Sequence, residues 1–142
     1  MMYNCTIEDL DMKIVIDTSV IIAVITNEPH RESLLKATLG AELLSPPSVH
    51  WEIGNAFSAM LKRNKITVKE ARKALSVYAV IPIRFVDVEL SEALDLSDRL
   101  KIYAYDAYLL ACSLKTHSPL ITLDEGLKVA AKSLNIKLAG GI

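Results

Sequence analysis

The chain has 142 residues, the length of one compact domain. Hydrophobic residues make up 51% of it, which excludes a disordered chain. With 16 basic against 17 acidic residues, it is neither a globally basic nucleic-acid coat protein nor an acidic tail protein. That balance still allows an enzyme that confines its basic charge to one patch. Cys5 and Cys112 make neither a disulfide framework nor a Cys-x-x-Cys metal pattern, and read as thiols of a reducing compartment. The most apolar stretch, 14–25, is interrupted by Asp17, Thr18 and Ser19 and falls short of the roughly 20 residues that span a bilayer. Residues 1–12 carry Glu8, Asp9 and Asp11 instead of the basic start of a signal peptide. A soluble, cytoplasmic protein without a membrane partner is expected.

In chain order, residues 1–12 read as an N-terminal extension, and 13–142 as the domain. Lys13-Ile14-Val15-Ile16 is a short β-branched run that suits a buried parallel strand. Asp17-Thr18-Ser19 then offers N-cap residues to a buried helix over 20–25, where β-branching leaves helix and strand in competition. Pro29 opens a second helix that Gly40 ends, and 41–44 reads as the second strand. A long helix is expected from Ser48 to about Asn64, and Thr67-Val68-Lys69-Glu70 is a capping box for the next. After Pro82 come a strand over 83–88, helices over 90–101 and 106–116, and a strand over 119–123. Asp124 caps the last helix, and 136–138 reads as an edge strand. Strands alternate with helices and hairpin signals are lacking. The expected fold is therefore α/β: one three-layer domain with a mostly parallel sheet of four to five strands and helices on both faces.

In such sheets, sites form beyond the carboxyl ends of the strands. Asp17 and Asp124 each follow a strand directly, although each also reads as a plain N-cap. Glu52 shares a helix face with Val49, Ala56 and the other apolar residues, so its carboxylate needs either a partner or a proton. Asn55 lies one turn further on, placed to orient Glu52 or simply to bond to a loop. Asp106 stands where the chain enters a very apolar segment, as a cap or as a site acid. Glu89, Glu92, Asp95 and Asp98 instead form a solvated face opposite Leu90, Ala93, Leu94 and Leu100. Two carboxylates about 5 Å apart repel by roughly 3 kcal/mol at an effective dielectric near 20. Were Asp17, Glu52, Asp106 and Asp124 to converge, they would have to bind protons or a cation. All-oxygen ligands suit Mg²⁺ or Mn²⁺, which polarise a phosphoryl oxygen and activate a bound water. His30, His50 and His117 lack zinc-ligand spacing.

The order Ile14-Val15-Ile16-Asp17-Thr18-Ser19-Val20, Trp51-Glu52-Ile53-Gly54-Asn55-Ala56, Tyr105-Asp106-Ala107-Tyr108-Leu109-Leu110-Ala111 and Ile121-Thr122-Leu123-Asp124 resembles the PIN-domain ribonucleases. Among these it most resembles the small VapC-type toxins, over about residues 13–139. The resemblance implies an acidic pit at the strand ends, a Mg²⁺ or Mn²⁺ cofactor and cleavage of single-stranded RNA. It places the acidic quartet on Asp17, Glu52, Asp106 and Asp124, with Ser19 and Thr122 as neighbouring hydroxyls. It also implies a homodimer and silencing by a small antitoxin chain. Lys62, Arg63, Lys65, Lys69, Arg72 and Lys73 form a basic segment able to track a phosphate backbone, or an ordinary solvated helix turn. Tyr103, Tyr105 and Tyr108 are stacking candidates, though packing suits them better. Two other readings stand beside the nuclease. One is a non-catalytic RNA-binding or scaffold domain of the same fold, which gives no reason to crowd four acids. The other is a phospho-acceptor receiver domain, which would want Asp106 at a strand end and a lysine after the fourth strand.

Overall fold

The computed structural model describes residues 12–140; the N-terminal extension therefore lies outside the described residues except for Met12. Among the described residues, four strands form one sheet in the order β3-β2-β1-β4, and every pairing is parallel. They are β1 (Lys13–Ile16), β2 (Glu42–Ser45), β3 (Ile83–Phe85) and β4 (Leu120–Ile121). The helices are α1 (Thr18–Ile25), α2 (Arg31–Thr38), α3 (Ser48–Lys62), α4 (Val68–Ala79), α5 (Leu90–Leu100), α6 (Ala104–Thr116) and α7 (Glu125–Ser133). The expected α/β architecture with a parallel sheet is what the chain adopts.

Burial explains the strand order. In β1, Ile14, Val15 and Ile16 are all buried, as a strand with neighbours on both edges and helices over its faces requires. In β3, at the sheet edge, Arg84 and Phe85 are exposed. α1 packs on α2, α3 and α4, whereas α6 packs on β1 and on α5. The competition over 20–25 resolves as helix, because Val20, Ile21, Ala23 and Ile25 are buried by these neighbours on nearly every side. The capping box forms as expected: Thr67 Oγ1 accepts from the Glu70 amide at 3.1 Å, and Glu70 Oε1 accepts from the Thr67 amide at 3.0 Å.

The departures have local causes. β3 stops at Phe85 because its partner runs out: after Ser45, Pro46 and Pro47 have no N–H to donate. β4 is cut to two residues because side chains take over its ladder. The Leu123 amide donates to Ser19 Oγ at 3.1 Å, and the Asp124 amide to Thr122 Oγ1 at 3.0 Å. The expected edge strand over 136–138 reduces to one parallel bridge, Leu120 to Leu138. α5 turns Ala93 and Leu96 inward and leaves Leu90 and Leu94 exposed, so its apolar face is narrower than the sequence pattern suggests. α6 begins two residues early, at Ala104, with Tyr103 at the N-cap position.

Candidate active site

β1 is followed in sequence toward β2 on one side and pairs with β4 on the other. The topological switch point therefore lies between β1 and β4. The register pairs Ile16 with Ile121, so the next residues, Asp17 and Thr122, meet side by side. Three donors hold the buried Asp17 carboxylate. Its Oδ2 accepts from Thr122 Oγ1 at 2.6 Å and from Ser19 Oγ at 2.8 Å; its Oδ1 accepts from the Thr18 amide at 2.6 Å. Burial nevertheless pushes the Asp17 carboxyl above the usual range, and the nearby Asp124 charge adds to the rise. Asp17 caps α1 as well, so the plain capping role and a site role coexist in one side chain.

Glu52 comes from the second turn of α3, next to the inward stripe of Val49, Ile53 and Phe57. Burial is the main reason its carboxyl is pushed up to about 7, followed by the charge of Asp17 and, more weakly, that of Asp106. The Thr18 hydroxyl pulls the other way. Even so, both Thr18 Oγ1 and Glu52 Oε2 are buried without a hydrogen-bond partner. Asp106 sits in the first turn of α6 and does not cap it, which removes the capping explanation open to it in sequence. Burial, then Asp124 and Asp17, raise its carboxyl. Asp124 is exposed and caps α7, its Oδ1 accepting from the Leu127 amide at 3.0 Å. The four acids thus share one electrostatic neighbourhood. The ion pairs among the described residues (Arg84–Glu42, Lys101–Asp98 and Lys128–Glu125) do not include them.

The surrounding candidates divide. Ser19 and Thr122 are brought onto Asp17, where they orient its Oδ2. Asn55 is exposed, and no hydrogen bond ties it to Glu52 among the described residues. Lys62, Arg63, Lys65, Lys69, Arg72 and Lys73 are all exposed, but they gather at the α3–α4 turn. Lys62 is about 15 Å along the helix from Glu52. Lys73 lines a cleft of about 540 Å³ with Arg31 and Glu70, away from the acids. Tyr108 packs against the core and meets Tyr105 edge-on, while Tyr103 is fully in solvent. Thr18 carries no sequence signal beyond its place in the capping cluster. Its effect on Glu52 is visible only once α1 and α3 are packed together.

The donor set fits a hard divalent cation: carboxylate oxygens pushed toward protonation by burial and mutual repulsion, and one buried oxygen, Glu52 Oε2, with nothing to bond. It is not a closed cage. No three His, Cys, Asp or Glu side chains among the described residues are gathered tightly enough to hold an ion. Mg²⁺ keeps several waters and needs only one or two protein carboxylates, so an open set suffices. Cys112 is buried, and burial pushes its thiol up to about 11, which leaves it inert.

Fold and site together define an α/β domain with electrostatically coupled acids near the switch point of a parallel sheet. The PIN domain family model matches residues 14–133, and the chain belongs to that family. It is similar in structure to PAE2754 from Pyrobaculum aerophilum, at 18% identity over 84% of this chain and 86% of that one, with a TM-score of 0.62. It is similar also to VapC20 from Mycobacterium tuberculosis, a toxin that cleaves the sarcin-ricin loop (16% identity, 83% and 95% coverage, TM-score 0.60). A third likeness is to VapBC2 from Rickettsia felis, solved bound to a DNA fragment from its promoter (15% identity, 89% and 97% coverage, TM-score 0.61). These identities speak for the fold alone. No curated protein matches the chain in sequence. No helix among the described residues is long and apolar enough to cross a membrane.

Proposed function

We propose that the chain is a divalent-cation-dependent endoribonuclease that cuts single-stranded RNA in the cytoplasm. In this reading it acts as a homodimeric toxin restrained by a small antitoxin. The observation that carries this reading is the electrostatic convergence of Asp17, Glu52, Asp106 and Asp124 near the switch point, each of the first three with its carboxyl raised. Membership of the PIN family and likeness in fold to the VapC toxins support it. Asp17 and Asp106 would hold Mg²⁺ or Mn²⁺, with Glu52 and Asp124 completing the site or orienting a water. A bound cation supplies charge on the phosphoryl oxygen and lowers the pKa of a water for in-line attack. The chain's own contribution is orientation. Ser19 and Thr122 fix the Asp17 carboxylate, the α7 cap fixes Asp124, and Glu52 Oε2 is a buried proton acceptor.

The decisive experiment is cleavage of single-stranded RNA in Mn²⁺ by the wild type and by Asp17→Asn. The wild type should cut and the variant should not, with both folded by circular dichroism. Full activity in EDTA would overturn the proposal. One observation favours the non-catalytic RNA-binding or scaffold reading: the carboxylates do not form a preformed cage. A Mn²⁺ titration separates the two, since the scaffold reading expects no binding that depends on Asp17 and Asp106.

A further inference from the structure

Trp51 is the chain's only tryptophan, and 68% of it is exposed. An indole is a large apolar surface to leave in water, and this one stands one residue from Glu52 in the opening turns of α3. It is braced on one side. The His50 ring meets it edge-on, with centroids 4.9 Å apart and planes at 81°. His50 is itself tied to α4, its Nδ1 lying 3.2 Å from Tyr78 Oη. Most of the remaining ring surface is in solvent. Helical side chains lean toward the N-terminus, so a Cβ at Gly54 would stand beside residue 51. Nothing lies within 4 Å of that position. A glycine inside a helix is costly, and here it leaves the helix surface one turn from Trp51 without a side chain.

The surroundings favour one kind of occupant. Trp51 is the only large hydrophobic exposed on α3, and exposed Asn55 lies one turn away. Protein docking faces are usually contiguous apolar patches. A single free aromatic face with polar neighbours suits one flat partner. Trp51 directly precedes Glu52 on α3, and the Glu52 carboxyl feels the charges of Asp17 and Asp106, so the ring stands one residue along the chain from the acidic cluster. From this, we infer that Trp51 is a stacking platform for an unpaired nucleobase adjoining the phosphodiester to be cut, a positioning residue for the substrate. The inference rests on the nuclease reading and adds to it where the flanking base sits.

The test uses the full chain and a short single-stranded oligoribonucleotide. Titrated into Asp17→Asn, which leaves the substrate intact, the oligonucleotide should quench Trp51 fluorescence; a fully abasic oligonucleotide should not. In Mn²⁺, Trp51→Ala should raise KM for RNA by about fivefold or more with kcat nearly unchanged. Trp51→Phe should restore most of that loss. Gly54→Leu, which places a bulky side chain one turn from Trp51, should weaken binding in the same direction as Trp51→Ala, and Gly54→Ala should behave as the wild type. If the wild type cuts no RNA, the nuclease reading fails; the inference then also falls unless base-dependent quenching persists. If the wild type cuts RNA but Trp51→Ala keeps its KM and quenching is absent, the inference alone is overturned. A change of oligomeric state in Trp51→Ala without a change in KM would make the ring a protein contact, which also overturns it.

Discussion

Asp17 keeps a carboxylate inside the protein because hydroxyls separated from each other by about a hundred residues of chain converge on one of its oxygens. Thr122 Oγ1 is the more demanding of the two, since it donates to Asp17 Oδ2 while accepting from the Asp124 amide. Thr122→Val leaves both groups short of a partner and should cost about 1–3 kcal/mol in urea unfolding, whereas Thr122→Ser should restore most of it. Ser19→Ala, at a half-buried position, should cost less. Glu52 sets a pH dependence of the metal-free protein. Its carboxyl rises from 4.5 to about 7 on folding, so the folded state holds the proton more tightly. The stability linked to that proton is fully present below pH 4.5 and is lost as pH rises through about 7. Asp17 and Asp106 shift in the same direction. Melting in EDTA should therefore occur at a higher temperature at pH 5 than at pH 8, and Glu52→Gln should flatten the difference.

At the scale of elements, the helix ends separate capping from chemistry. Asp124 caps α7, and asparagine caps as well as aspartate. Asp124→Asn should therefore keep its stability while losing RNA cleavage, and Asp124→Ala should lose the cleavage and about 1 kcal/mol besides. Asp106 offers the contrast. It caps nothing and its carboxyl is raised by burial and by its acidic neighbours. Asp106→Asn should melt at or above the wild-type temperature in EDTA while losing cleavage. A clear loss of stability there would mean that Asp106 has a structural partner. β4 shows the same economy. Its ladder gives way after two residues to amides that donate to the Ser19 and Thr122 hydroxyls, and so strand end and site are one construction.

For the whole molecule, the near-neutral charge conceals an uneven distribution. With the four site acids set aside, the remaining chain is mildly basic. Of the six basic residues of 62–73, Lys62, Arg63 and Lys65 lie at or just beyond the far end of α3 and the others on α4, so substrate reaching both regions would have to run along α3. Concentrated negative charge at the site should make folding sensitive to divalent ions. Mn²⁺ at a hundredfold excess over its dissociation constant should stabilise the wild type by about 2.7 kcal/mol and leave the Asp17→Asn, Asp106→Asn double variant unmoved. Equal stabilisation of both would place the ion elsewhere.

The sequence by itself determined what depends on local pattern. A short, uniformly β-branched run marked β1 as a buried parallel strand. Alternation of strand and helix made the sheet parallel, and Thr67 with Glu70 made a helix start. It also singled out Glu52, because a carboxylate beside an apolar helical stripe is legible from spacing alone. What only the tertiary structure decided is which polar groups share space. Asp106 read as a possible cap until α6 began two residues before it. Leu90 and Leu94 read, with Ala93 and Leu100, as lying opposite the solvated face; packing against α6 buries Ala93 and Leu96 and leaves Leu90 and Leu94 exposed. The bond from Thr122 to Asp17 exists because β1 and β4 pair in one register across 105 residues. Local periodicity shows that a side chain turns inward; only strand register and helix packing decide what it meets there, and here they set carboxylates within reach of one another's charge.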